Sequence, residues 1–323
     1  MAAPNLGQAV ASAWETKVGR KPTDNIHDSY WLLHQFDKGN GYLERNGGRL
    51  CEVSLEFAIN TTFKAYDDLE TLDTTRVDVF DAAQYNWKQI AGTVTMSAKE
   101  VAFTQGEGGK FDLLAAKLEN AKNSHDYEIN RQMYTDGTGT GGKEIGGLEL
   151  LSPTLPTTGS PGGINRATYT WWRSQTQSGA KTTAAYDNLR SSITACYNDC
   201  STGVNNAHPT GLVSSQTIFQ AYEGILVAVE QITDKRNADI AFKGENIAFK
   251  GAKFAFDEEM GTTASVYMWN TDFLKLAYQA GFWKKMYPPV DPSNQTADVY
   301  KILTICTLVA LACRRIGKVH TIT

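Results

Sequence analysis

Residues 109–135, GKFDLLAAKLENAKNSHDYEINRQMYT, carry the longest uninterrupted helical pattern in the chain. Phe111, Leu114, Leu118, Ala121, Ile129 and Met133 fall on one stripe at helical spacing, while Lys117, Glu119, Asn123 and Glu128 face elsewhere. The spacing predicts one amphipathic helix of roughly 35–40 Å, long enough to act as a beam. Breakers bound it: Gly108-Gly109 before it, and the run Asp136–Gly142 after it.

A period of two appears on either side of this beam. Val53, Leu55, Phe57 and Ile59 alternate with Glu52, Ser54, Glu56 and Ala58, which predicts a half-buried strand over 51–60. Ile90, Val94 and Met96 predict a second over 86–96. The 25-residue stretch between them (61–85) is too long for a tight turn. It carries Asp67, Asp68, Glu70, Asp73, Asp78 and Asp81, and reads either as a surface loop or as a hairpin lying on a partner. Ser97 and Glu100 have the spacing of a capping box before a short helix. Residues 1–50 show no fixed period beyond a short helical piece at Leu6–Trp14, and read as an extended arm that needs a neighbouring surface.

Beyond the beam, Ile145–Leu151 reads as a strand, and SPTLPTTGSPGG as a connection between domains. Helices are expected over 183–200 and 215–231, with a short strand at 209–213 between them. Ile-Ala-Phe-Lys-Gly occurs twice, at 240–244 and 247–251, and reads as short strands or hairpin arms. A strand at Val266–Trp269, a helix at Thr271–Tyr278, a buried strand at 299–312 and a closing edge strand at 314–322 complete an α+β chain.

Composition narrows the function. The 323 residues are 41% hydrophobic and 20% charged, as in globular proteins, and long enough for about two domains. A net charge of −4, from 31 basic and 35 acidic residues, argues against tight binding to nucleic acid through phosphate neutralisation. The first residues lack the order of a secretory signal, and no apolar run reaches the roughly 20 residues of a membrane span. A soluble protein is expected, with no membrane partner. Cys51, Cys196, Cys200, Cys306 and Cys313 form no disulfide framework and fit buried thiols.

The candidate chemistry fails on context. Gly137, Gly139 and Gly142 match G-x-G-x-x-G, but they follow a helix instead of opening one. Glu144 stands where a phosphate-binding loop needs Ser or Thr after Lys143. Cys196, Cys200 and His208 give three zinc ligands without a fourth. His27, His34, His125 and His320 are scattered, and the acids of 67–81 lack a calcium-loop rhythm. Trp171 and Trp172 offer a stacking platform for a sugar. The expectation is therefore a chain with no catalytic, cofactor-binding or metal-binding residue, and no enzyme.

The order of elements, with LEFAINTTFKAYDDLETLDT, YTDGTGTGGKEIGGLELL, GGINRATYTWW and MWNTDFLKLAY, resembles the major capsid proteins of tailed bacteriophages, the Hong Kong ninety-seven type, from about residue 45 onward. The resemblance implies an N-terminal arm at 1–50 and an extended hairpin loop at 51–97 that overlaps the adjacent subunit. It implies a peripheral domain at 98–151 and 282–312 with spine helix 109–135, and an axial domain at 152–281 and 313–323. It further implies self-assembly of pentamers and hexamers into an icosahedral head around double-stranded DNA, from a precursor shell built in the bacterial cytoplasm. Partners would be a portal, a possible decoration protein and, because the arm is short, a separate scaffolding protein. Lys64 lies in the loop that some members cross-link, but no partner for it can be matched. The alternatives are the shell of a cellular encapsulin nanocompartment and a monomeric carbohydrate-binding protein using Trp171 and Trp172.

Overall fold

The computed structural model describes residues 30–104, 113–179, 186–201, 207–230, 247–260, 264–290 and 296–322. In chain order these form α1 (Trp31–Lys38), β1 (Tyr42–Arg45), β2 (Leu50–Glu56), β3 (Phe80–Asn86), β4 (Lys88–Ser97), α2 (Ala98–Thr104) and α3 (Leu113–Gln132). Then follow β5 (Gln175–Ser178), α4 (Tyr186–Cys200), β6 (Gly211–Ser214), α5 (Gln216–Glu230), β7 (Ile247–Phe249) and β8 (Ala252–Phe256). The chain closes with β9 (Val266–Trp269), β10 (Leu274–Gln279), β11 (Lys285–Val290), β12 (Ala297–Ala310) and β13 (Gly317–His320).

Two sheets organise the body. One runs β1-β10-β12-β11, with β4 on β12 in a continuous antiparallel register from Ala297↔Ser97 to Cys306↔Lys88. The other is six-stranded, β5-β13-β9-β6-β8-β7. Its central strands are covered on both faces, and their period of two divides the interior. Tyr267, Trp269 and Val213 face a core shared with the first sheet, α1 and α3; Val266, Met268 and Leu212 face a second core under α4 and α5. On α4 the residues of that core, Leu189, Ile193, Cys196, Tyr197 and Cys200, follow helical spacing. A Cβ built on Gly317 of β13 would lie 2.7 Å from the sulfurs of both Cys196 and Cys200, so the absence of a side chain there lets α4 close on the sheet.

The beam is present as α3, about 30 Å of helix. It ends at Gln132, three residues before the expected boundary, and its first expected residues, Phe111 among them, lie outside those described. Only its C-terminal half is deeply buried, through His125, Ile129, Asn130 and Gln132, with Met133 buried just beyond its end. The capping box forms: the Ser97 N–H donates to Glu100 Oε2 at 3.0 Å and the Glu100 N–H to Ser97 Oγ at 3.3 Å.

Several expectations are corrected. Residues 145–151 form no strand: Gly147 precedes a helical turn, Leu148–Leu151, whose Leu148 and Leu151 are fully buried. Residues 274–279 form strand β10, not a helix, because parallel β1 and antiparallel β12 satisfy its backbone on both sides. The stretch 61–85 contains the unexpected strand β3, paired with β2 from Leu50↔Asn86 to Glu56↔Phe80, and β2 stops before Ile59. The closing strand β13 is internal, between β5 and β9, not an edge. Residues 30–50 pack intramolecularly, with Leu32, Leu33 and Phe36 in the core. The helical piece at 6–14 and the first Ile-Ala-Phe-Lys-Gly copy at 240–244 lie outside the described residues; the second copy forms β7 and the turn into β8 through Lys250 (φ 48°) and Gly251 (φ 88°).

Candidate interaction surface

The hairpin of β2 and β3 is a two-stranded ribbon whose backbone pairs with neither large sheet, while the Tyr85 hydroxyl donates to the Ala310 carbonyl of β12 at 3.1 Å. Cys51, Val53, Leu55, Ala83 and Tyr85 point into the body while Glu52, Ser54, Glu56 and Gln84 face out. The segment 161–171 supports it. Gly162, at φ +66°, leaves space in which a Cβ would approach the Ala83 methyl to 2.8 Å, and Phe57 stacks on Trp171 with ring centroids 5.6 Å apart.

That support is itself pinned by a buried cation. Arg166 is fully buried, and its guanidinium donates to the carbonyls of Trp172 (3.3 Å), Leu150 (3.1 Å) and Leu151. Trp172 is 1% exposed and its indole N–H donates to the Pro161 carbonyl at 2.8 Å. Trp172 is therefore a packing residue, and a platform made of both tryptophans is not present.

Past Phe57 the ribbon carries a loop that has apolar side chains without apolar cover. Five of the nine exposed large hydrophobic residues among those described belong to it or its root: Ile59 (87%), Phe63 (85%), Leu69 (100%), Leu72 (64%) and Phe80 (73%). They are interleaved with the acids of 67–81, all exposed, and Lys64 lies over the Tyr66 ring at 5.3 Å. An apolar surface of this density on one projecting element marks an interaction site.

The other residues singled out in the sequence have structural settings. Inside the Gly139–Gly142 turn the Glu144 carboxylate accepts from Thr140 Oγ1 (3.0 Å) and pairs with Arg131 (3.0 Å), so a carboxylate fills the place a bound phosphate would need. Cys196 and Cys200 are packed in the second core, and His208 stacks on Tyr197. Among the described residues no group of three or more His, Cys, Asp or Glu side chains could hold a metal, and no helix is long and apolar enough to cross a membrane.

Two buried polar clusters were not legible beforehand, because each joins residues more than 100 positions apart. Asp257 accepts from Asn130 Nδ2 (3.1 Å), the Tyr134 hydroxyl (2.9 Å) and the Glu259 N–H (3.1 Å), tying the end of α3 to the segment after β8. Burial pushes its carboxyl above the usual aspartate range, against the pull of these donors. Lys318, 3% exposed on β13, pairs with Glu149 at 2.6 Å, and the Tyr267 hydroxyl donates to the same carboxylate.

No protein-family model and no curated protein matches the sequence. The architecture, however, matches solved structures over nearly its whole length. The capsid asymmetric unit of cyanophage A-1(L) superposes with a TM-score of 0.68 at 16% identity, covering 95% of this chain and 97% of that one. The capsid of Myoviridae phage XM1 gives 0.60 at 12% identity, with 99% of each chain covered. The chain has the fold of tailed-phage major capsid proteins. The same capsid fold includes the holo-encapsulin complex of Synechococcus elongatus, at a TM-score of 0.60 and 8% identity, covering 99% of this chain and 96% of that chain.

Proposed function

We propose that this protein is the structural subunit of a tailed-bacteriophage head, a chain that self-assembles into an icosahedral shell around double-stranded DNA. The observation that carries the reading is the acidic, apolar loop of the β2–β3 hairpin, projecting from a body whose fold matches phage capsid chains from end to end. A monomer gains nothing from exposing Leu69 and Phe63. In a shell they become interface, and large permanent interfaces are apolar.

On this reading residues 1–50 are the arm, of which 30–50 fold back on the chain's own core, and 51–97 the extended hairpin, whose strands β2 and β3 pack on the body while the loop between them overlaps a neighbour. Residues 98–151 and 282–312 form the peripheral domain, with α3 as its spine. Residues 152–281 and 313–323 form the axial domain around the fivefold and sixfold axes of pentamers and hexamers. The subunit is not an enzyme and needs no cofactor. It assembles in the bacterial cytoplasm as a precursor shell, on a separate scaffolding protein and around a portal, and it ends in the virion, with a decoration protein as a further partner. Its net charge of −4 suits a wall that confines DNA without gripping it.

The encapsulin likeness supports a second reading, a cellular compartment shell. The contents of native particles separate the two. The head reading expects nuclease-protected double-stranded DNA; particles that hold a cargo protein and no DNA establish the compartment instead.

A further inference from the structure

We propose that the cleft between α3 and β4 is a binding site for a small neutral molecule, mainly apolar, that presents a hydroxyl group to His125. The inference goes beyond the shell reading and does not depend on it.

The cleft has a volume of about 650 Å³, within the range of small-molecule sites. It exists because its walls are built of small residues. Ala116 and Ala121 of α3 and Ala91 and Gly92 of β4 all line it, and their side chains are too short to close the gap between helix and strand. Gly92 lies in the period-two row of Ile90 and Val94, which are both buried, yet a Cβ built on it would meet no described atom within 4 Å. Close packing leaves few such spaces beside buried positions.

His125 points to a ligand independently of the space. It lines the cleft, is 6% exposed, and neither ring nitrogen has a hydrogen-bond partner among the described residues. Buried polar atoms are nearly always partnered, so this ring is left for something the chain does not supply. Nδ1 lies 3.8 Å from Asp126 Oδ1, beyond hydrogen-bond reach, and Lys284 already pairs with that carboxylate at 2.7 Å. The carboxylate on this side favours the tautomer with the proton on Nδ1, which leaves Nε2 as an acceptor. An acceptor calls for a donor. The donor must be neutral, because the charged residues of the lining are balanced within the chain: Lys117 pairs with Glu100 at 2.9 Å and Glu128 with Arg131 at 2.7 Å. Ile90, Val94 and Ile302 add apolar lining. A hydroxyl on an apolar body meets these conditions, and an ionised carboxylate, with no proton to donate, does not.

Equilibrium dialysis of the full-length, unassembled chain against naphthol, with naphthalene as the comparison that lacks the hydroxyl, tests the site. The expected result is saturable binding of naphthol at one site per chain. His125→Phe removes the acceptor and keeps a ring, so it should weaken naphthol about tenfold and leave naphthalene no weaker than in the parent. Gly92→Leu fills the hollow and should abolish binding of both, with the thermal melt unchanged or raised because the new side chain enters open space. This second variant decides the question even if His125→Phe does not fold. Unsaturable binding of naphthol in the parent, or binding that survives Gly92→Leu, would overturn the cleft as the site. An equal effect of His125→Phe on naphthol and naphthalene would overturn the role of the histidine. Neither result touches the shell reading.

Discussion

Replacing Phe63 and Leu69 together by serine should uncouple assembly from folding. Both side chains are exposed, at 85% and 100%, so the isolated subunit loses almost no contact. Surface changes of this kind shift stability by about 0.5 kcal/mol or less. Burial of a Leu or Phe at an interface gains about 1.5–3 kcal/mol, less about 0.5–1 kcal/mol for lost rotamer freedom. The net is about 1–2 kcal/mol per side chain, or roughly 2–4 kcal/mol for the pair. At about 1.4 kcal/mol per factor of ten, the concentration required for assembly should rise roughly 30- to 1000-fold. Sedimentation velocity over a dilution series gives that concentration, and a thermal melt of the unassembled subunit gives the stability. An unchanged assembly concentration would refute the role of the loop. A melt lowered by several degrees would refute the claim that these side chains serve only contacts between copies.

Arg166→Lys keeps the charge but cannot span the carbonyls of Leu150, Leu151 and Trp172; with two of them orphaned, calorimetry of shells should show a loss of about 2–5 kcal/mol. Asp257 has a raised pKa when folded, so the folded state holds its proton more tightly than the unfolded one. Its contribution to stability therefore falls as pH rises from the ordinary aspartate range through the raised value. The lowered carboxyls of Glu100, Asp126 and Glu128 act with the opposite sign. The difference in urea midpoint between Asp257→Asn and the parent should thus move in favour of the variant as pH rises through that window, and a flat difference would contradict the assignment. Gly162→Ala forces a side chain into a left-handed position against Ala83 and Tyr85, at roughly 1–2 kcal/mol, and should speed amide hydrogen exchange in β3.

What the sequence disclosed followed the range of the interaction. The alternation begun by Val53 and Leu55, the capping box at Ser97 and the stripe of α3 are local signals, and each produced its element, although Phe57 and Ile59, read into the same strand, lie beyond its end. Residues 274–279 misled because Leu, Lys, Leu and Ala favour helices, and only the flanking strands β1 and β12 decide otherwise. β3 was missed because Phe80-Asp81-Ala82-Ala83 alternates weakly, and its partner lies across a loop of more than twenty residues. That 61–81 is an exposed acidic stretch was readable, while the choice between a surface loop and a hairpin was left open by the sequence. The hairpin's supports were not readable: nothing local marks Arg166 for burial, and Gly162 matters only through the approach of Ala83.

The central claim is that this chain closes into a shell, and sedimentation of the expressed protein followed by electron microscopy of the fast fraction tests it most directly. The account predicts closed particles, or rings with fivefold and sixfold symmetry, that bury the hairpin loop between subunits. A 35.5 kDa species that stays monomeric even when co-expressed with its scaffolding partner would contradict it.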